Sequence, residues 1–113
     1  MEKEKTQQAQ TFDGGVTPEQ VEAWKNKHRK VYRVDIVDGA DTHIGYFKRP
    51  DFATIKAITK VAKTDEVEAG KVMFNNCWLG GSEELKEDAV LFMAVQVQLG
   101  KLVNGCMGSP YNR

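Results

Sequence analysis

Residues 31–48 read Val-Tyr-Arg-Val-Asp-Ile-Val-Asp-Gly-Ala-Asp-Thr-His-Ile-Gly-Tyr-Phe-Lys. Apolar side chains alternate through the first half, with Tyr32, Val34 and Ile36 on one face and Val31, Arg33, Asp35 and Val37 on the other, the period of a half-exposed strand. Asp38-Gly39-Ala40-Asp41 is turn chemistry, and the aromatic run 43–48 that follows is short, so the segment is expected to form a β-hairpin. Pro50 cannot donate to a strand ladder and ends the second strand, and Asp51 is placed to cap a helix. A two-stranded sheet is marginal alone. Helices must therefore cover one face of it.

Those helices can be located on both sides of the hairpin. Upstream, Thr17-Pro18-Glu19-Gln20 reads as a capping box with proline in the first turn, opening a helix over residues 18–29. Downstream, Phe52, Ile55, Ile58 and Ala62 recur at helical spacing, and Asp65 with Glu68 opens a second helix running toward Trp78. The two are expected to form an antiparallel helical hairpin. Leu79-Gly80-Gly81-Ser82 breaks the pattern, and Ser82 is placed to cap one long last helix reaching about residue 103. The expected fold class is α+β, an N-terminal helix and β-hairpin packed on a three-helix unit. Tyr32, Val34, Ile36, Ile44, Tyr46, Ile55, Ile58, Phe74, Trp78, Leu85, Phe92 and Leu99 are the expected core. Residues 1–16, polar apart from Met1, Phe12 and Val16, read as a disordered or loosely docked tail, 17–103 as a single domain, and 104–113 as a C-terminal tail.

The chain has 113 residues, of which 41% are hydrophobic and 28% charged, which is enough for one domain to fold without disulfides or metal. Sixteen Lys and Arg balance sixteen Asp and Glu, which argues against a protein whose main task is to hold nucleic acid or an anionic membrane. Two cysteines, and a start MEKEKTQQAQ without an apolar run, point to a reducing, cytoplasmic setting.

No catalytic chemistry is legible. His28, His43, Cys77 and Cys106 contain no short chelating pair, so neither a metal nor any other cofactor is expected. Cys77 falls at a helix C-terminus, whose field disfavours a thiolate, and reads as a buried structural residue. Gly80-Gly81-Ser82 matches no phosphate-binding loop, and Glu83 and Glu84 would repel an anion there. Catalytic, cofactor and metal sites are thus all expected to be absent, and the chain is read as non-enzymatic.

Two surfaces remain as candidates. The last helix is apolar on more than one face, so it is either the central element of the domain or meets another chain through Val90, Met93, Ala94 and Val97. The alternative is a nucleic-acid patch of Lys25, Lys27, Arg29, Lys30 and Arg33, five bases set against two acids (Glu19 and Glu22) between residues 17 and 33.

Taken in order, the Tyr-Arg-Val-Asp-Ile-Val strand, the return Gly45-Tyr46-Phe47-Lys48-Arg49-Pro50, a helix of small and aliphatic residues, Thr64-Asp65-Glu66-Val67, the corner Asn76-Cys77-Trp78-Leu79-Gly80-Gly81 and a long final helix resemble small proteins of phages and prophages of gut bacteria. More distantly they resemble the tail assembly chaperones. The resemblance spans residues 31–103, about two thirds of the chain. It implies a non-enzymatic helper in the host cytoplasm that keeps a helical tape measure protein soluble during tail assembly, possessing an apolar surface for that client and able to self-associate. No membrane partner is implied.

Overall fold

The computed structural model describes residues 9–107. At its centre is the second hairpin strand. Strands β2 (Val31–Asp38) and β3 (Asp41–Lys48) pair antiparallel along their full length, joined by Gly39-Ala40. Gly39 has φ +64°, the left-handed conformation that a two-residue hairpin turn requires. The other edge of β3 is shared end to end by two short strands. β1 (Thr11–Phe12) runs parallel beside Thr42 and His43, and β4 (Trp78–Gly81) antiparallel beside Gly45, Tyr46 and Phe47. The sheet therefore has four strands, with β3 enclosed on both edges.

The helices are α1 (Pro18–Lys27), α2 (Phe52–Ala62), α3 (Glu66–Cys77), the single turn α4 (Glu84–Glu87) and α5 (Ala89–Met107). Their starts follow the capping residues. Thr17 and Gln20 form the reciprocal capping box, Asp51 accepts from the Thr54 N–H at 2.8 Å, and Asp65 accepts from the Glu68 N–H at 3.0 Å. The first of these carboxylates is held below its ordinary pKa chiefly by that backbone hydrogen bond.

Residues opposite each other in the hairpin share a face, so the register puts Val34 with Gly45 and Tyr32 with Phe47. On that face Val34, Ile36 and Phe47 meet Phe74, Cys77, Leu85, Leu91, Val95 and Leu99. The centre is aromatic. Phe47 meets the rings of Phe74 and Trp78 edge-on at 5.2 and 5.4 Å, and Phe74 stacks on Trp78 at 5.2 Å. The opposite face carries Ile44 and Tyr46, and there Trp24 of α1 lies 5.7 Å from the Tyr46 ring.

The α+β class is as expected, with four corrections of detail. Leu79-Gly80-Gly81 is strand rather than an interhelical turn, because the glycines let it pass close to its neighbours. A Cβ on Gly81 would lie 2.3 Å from the Ile44 carbonyl oxygen, and one on Gly80 2.8 Å from the Trp24 ring. The long last helix is broken at Asp88, whose carboxylate accepts from the Val90 and Leu91 N–H groups at 2.9 and 3.0 Å and starts α5 afresh. Ser82 makes no side-chain cap, since its hydroxyl is used elsewhere. The tails are also shorter than expected. Thr11 and Phe12 are strand and α5 continues to Met107, while residues 1–8 and 108–113 of the expected tails lie outside the described residues.

The core list is corrected on four residues. Tyr32 is only partly buried and stands outside the core cluster, its hydroxyl accepting from Arg49. Phe47, not Tyr46, is fully buried, because Tyr46 lies on the α1 side of the sheet. Ile55 is 41% exposed and Ile58 only partly buried, because α2 packs chiefly on α3 and leaves its own apolar stripe uncovered.

Gly81 has φ +140° as well as no room for a side chain, whereas Gly39 has open space around it. Gly81→Ala should therefore lower stability by about 3 kcal/mol or more, and Gly39→Ala by about 1 kcal/mol. Denaturant midpoints of the two variants check the order. Equal losses would mean that the β3–β4 approach is not tight.

Candidate functional site

Helix α5 contacts the core with Leu91, Val95 and Leu99, spaced four apart on one face. At 100° per residue, Val90, Met93 and Val97 fall on the far side. They are 76%, 52% and 56% exposed. Ala94, expected beside them, is partly buried against the core. It therefore stands at the edge of the exposed face.

Between α3 and α5 runs a groove. Its larger part encloses about 570 Å³ and is lined by Val67, Lys71, Phe74, Asn75, Lys86, Glu87, Ala89, Phe92 and Met93. A smaller lobe of about 160 Å³ continues past Gly70 and Gln96, and both parts share Val67, Phe92 and Met93. The groove closes at Gly70, where an added Cβ would meet the Gln96 Oε1 at 3.0 Å. Val67 on the α3 wall is 55% exposed. The Nε2 of Gln96 is buried without a hydrogen-bond partner, sealed behind the groove between α3 and α5. Concave, mostly apolar walls are the chemistry of a binding groove. Of the four α5 residues that periodicity singles out, only Met93 lines this groove, while Val90, Ala94 and Val97 do not. Val67, Gly70 and Gln96 escape the sequence, because their role depends on where α3 crosses α5.

The basic residues do not form a uniform patch. Lys25 and Lys27 end α1, Arg29 and Lys30 follow it, and all are exposed. Arg33 is held by Asp35 through two contacts of 2.9 and 3.2 Å, so its charge is largely neutralised at the surface. The field near the end of α1 is positive. The pKa of His28 lies below its ordinary value, first through burial and then through Lys48 and Lys27.

A second arrangement escaped the sequence. His43 is 2% exposed, with Nδ1 2.8 Å from the Ser82 hydroxyl and Nε2 3.4 Å from Glu84. Phe12 stacks on its ring at 4.9 Å. Ser82 is itself buried, so its hydroxyl faces His43 and not solvent, and the trio ties β3 to the start of α4 beneath β1. Cys77 is also sealed in the core, where burial pushes its thiol up to about 11. Among the described residues, no three His, Cys, Asp or Glu side chains come together as metal ligands, and no helix is long and apolar enough to cross a membrane.

Comparison with protein-family models, with curated proteins and with solved structures gives no match. The surface must therefore be interpreted from its own chemistry.

Replacing Gln96 by Met keeps the volume and removes the orphan donor. Gln96→Met should raise the stability of the free protein by about 1 kcal/mol in thermal or denaturant unfolding, and a loss of that size would mean that the amide is satisfied in solution. Cys77 is protected both by burial and by its raised pKa. In a Cys106→Ser background it should react with a thiol reagent at neutral pH at least about a hundredfold more slowly than free cysteine, and equal rates would place it outside the core.

Proposed function

We propose that the chain is a non-enzymatic assembly partner that receives an amphipathic helix of another protein in the groove between α3 and α5. The observation that carries this reading is the apolar lining common to both lobes of the groove, half-exposed Val67 and Met93 beside Phe92. Apolar residues of a client helix at i, i+3 and i+7 would sit along the Val67–Phe92–Met93 walls. Met93 suits this role because an unbranched thioether adapts to different neighbours.

Together with the resemblance to phage and prophage proteins, this points to a tail assembly chaperone-like factor acting in the host cytoplasm, with the tape measure protein as client. Such a client is built of long amphipathic helices that aggregate without a partner, and a groove of this kind would cover them while the tail is assembled. The alternative, a nucleic-acid accessory role for Lys25, Lys27, Arg29 and Lys30, has less support because Arg33 is already paired with Asp35.

The test is capture of the product of the longest coiled-coil-rich reading frame beside the gene, at low and high salt, by the wild-type chain and by Val67→Asp. Retention by the wild type at both salts, weakened about tenfold or more in Val67→Asp, is expected because Val67 is an exposed wall residue whose loss spares the core. Loss at high salt alone would shift the reading to the basic residues. No retention at either salt would overturn it.

A further inference from the structure

Unlike α2, α3 and α5, helix α1 has no buried residue, and only Val21 and Trp24 within it are partly covered. Among the described residues its hydrogen bonds stay within the helix and its own caps, and no ion pair ties it to another element. Beside it lies a cleft of about 470 Å³, with Val16, Val21, Lys25 and Tyr46 in its lining, so the helix stands off the sheet instead of packing flush on it. One side chain closes the gap. The Trp24 ring lies 5.7 Å from that of Tyr46 and enters a notch over Gly80, where an added Cβ would come within 2.8 Å of the indole and 3.4 Å of Val16.

The links at both ends of α1 allow movement. Gly14 is fixed, since a Cβ there would strike the Gly81 carbonyl oxygen, but Gly15 has φ +76° and nothing within 4 Å of an added Cβ. At the other end the helix stops at His28, whose backbone is extended. The strands β1 and β2 hold the far side of each link, so α1 is able to lift but not to leave. Charge opposes closure at the basic end. Lys25, Lys27, Arg29 and Lys30 are exposed there, and Val31, the next residue, pairs with Lys48 of β3. Lys48 and Lys27 together disfavour a charge on His28, while Asp51 on the other side of Lys48 offsets only part of this field.

We propose that α1 is a hinged flap, closed over the outer face of the sheet by Trp24 in the Gly80 notch, opposed by repulsion between its basic end and Lys48, and able to open while the rest of the domain stays folded. Opening uncovers Tyr46 and the notch. Salt screens the repulsion and so closes the flap. The α3–α5 groove lies on the core side of the sheet, where Phe74 belongs to both, so the flap does not rest on the client reading. A helix of ten residues does not persist without its anchor, and its amides therefore exchange whenever the flap lifts.

Native-state hydrogen exchange of the full chain, followed segment by segment, is the test. Amides of α1 should be at least about a hundredfold less protected than those of the β2–β3 ladder, and that protection should not change with low urea, the mark of a local opening. Gly80→Ala fills the notch and should lower α1 protection about a further tenfold while the ladder keeps its own. Trp24→Ala should do the same without altering β4. Raising salt from about 0.05 to about 0.5 M should increase α1 protection about threefold, and Lys48→Gln should give a similar gain and remove the response to salt. Exchange of α1 only together with the ladder, variants that lower both equally, or α1 protection indifferent to salt would each overturn the proposal.

Discussion

The close approach of β4 to β3 is the constraint on which the rest of the structure depends. Gly81 pairs with Gly45, and neither tolerates a side chain. A Cβ on Gly45 would meet Leu85 at 2.8 Å, and one on Gly81 would strike the Ile44 carbonyl. Because the two backbones come together there, Trp78 at the start of β4 reaches Phe47 and Phe74, and Leu85 just beyond it is fully buried. The same strand fixes Ser82, whose hydroxyl engages His43, and Gly80, under the Trp24 ring. One short strand thus joins the two faces of the sheet and sets where α4 and α5 begin.

How much of this could be read from the sequence depends on how local each signal is. The β2–β3 hairpin and the starts of α1, α2 and α3 are legible because alternation and capping act within a few residues, and Thr17, Asp51 and Asp65 make the hydrogen bonds that their positions imply. The β4 strand is hidden because a glycine pair looks the same in a turn as in a strand pressed against a neighbour. Only the distant partner Gly45 distinguishes the cases. Phe47 and Tyr46 were exchanged for a similar reason. Each is aromatic, β3 is covered on both faces, and alternation alone does not say which face has the larger core. The break at Asp88 is a local signal of the same kind as the others, masked by helix-forming residues on either side.

Of the groove's lining, only Met93 is singled out in the sequence. Excess apolar surface on α5 follows from its composition, and the structure puts Val90, Met93 and Val97 on the side away from the core. The groove arises where Gly70 of α3 lets Gln96 come close, a long-range meeting without a sequence signature. His43, Ser82 and Glu84 likewise lie in three different elements. Their convergence depends on β3 lying beside β4.

The exposed apolar residues are not confined to one accidental position. Phe52 is 94% exposed on α2, Val67 55% on α3, and Val90, Met93 and Val97 continue on α5. Scattered singly such residues are ordinary, but along α5 they form a continuous stripe with no charge among them. Charged side chains at 90, 93 and 97 would serve solubility without touching the core, since these positions face away from Leu91, Val95 and Leu99. Nothing in the fold requires valine or methionine there. The groove beside the stripe is apolar as well, since Val67, Phe92 and Met93 line both of its lobes. Met93 belongs to both surfaces, so stripe and groove meet along one edge of α5.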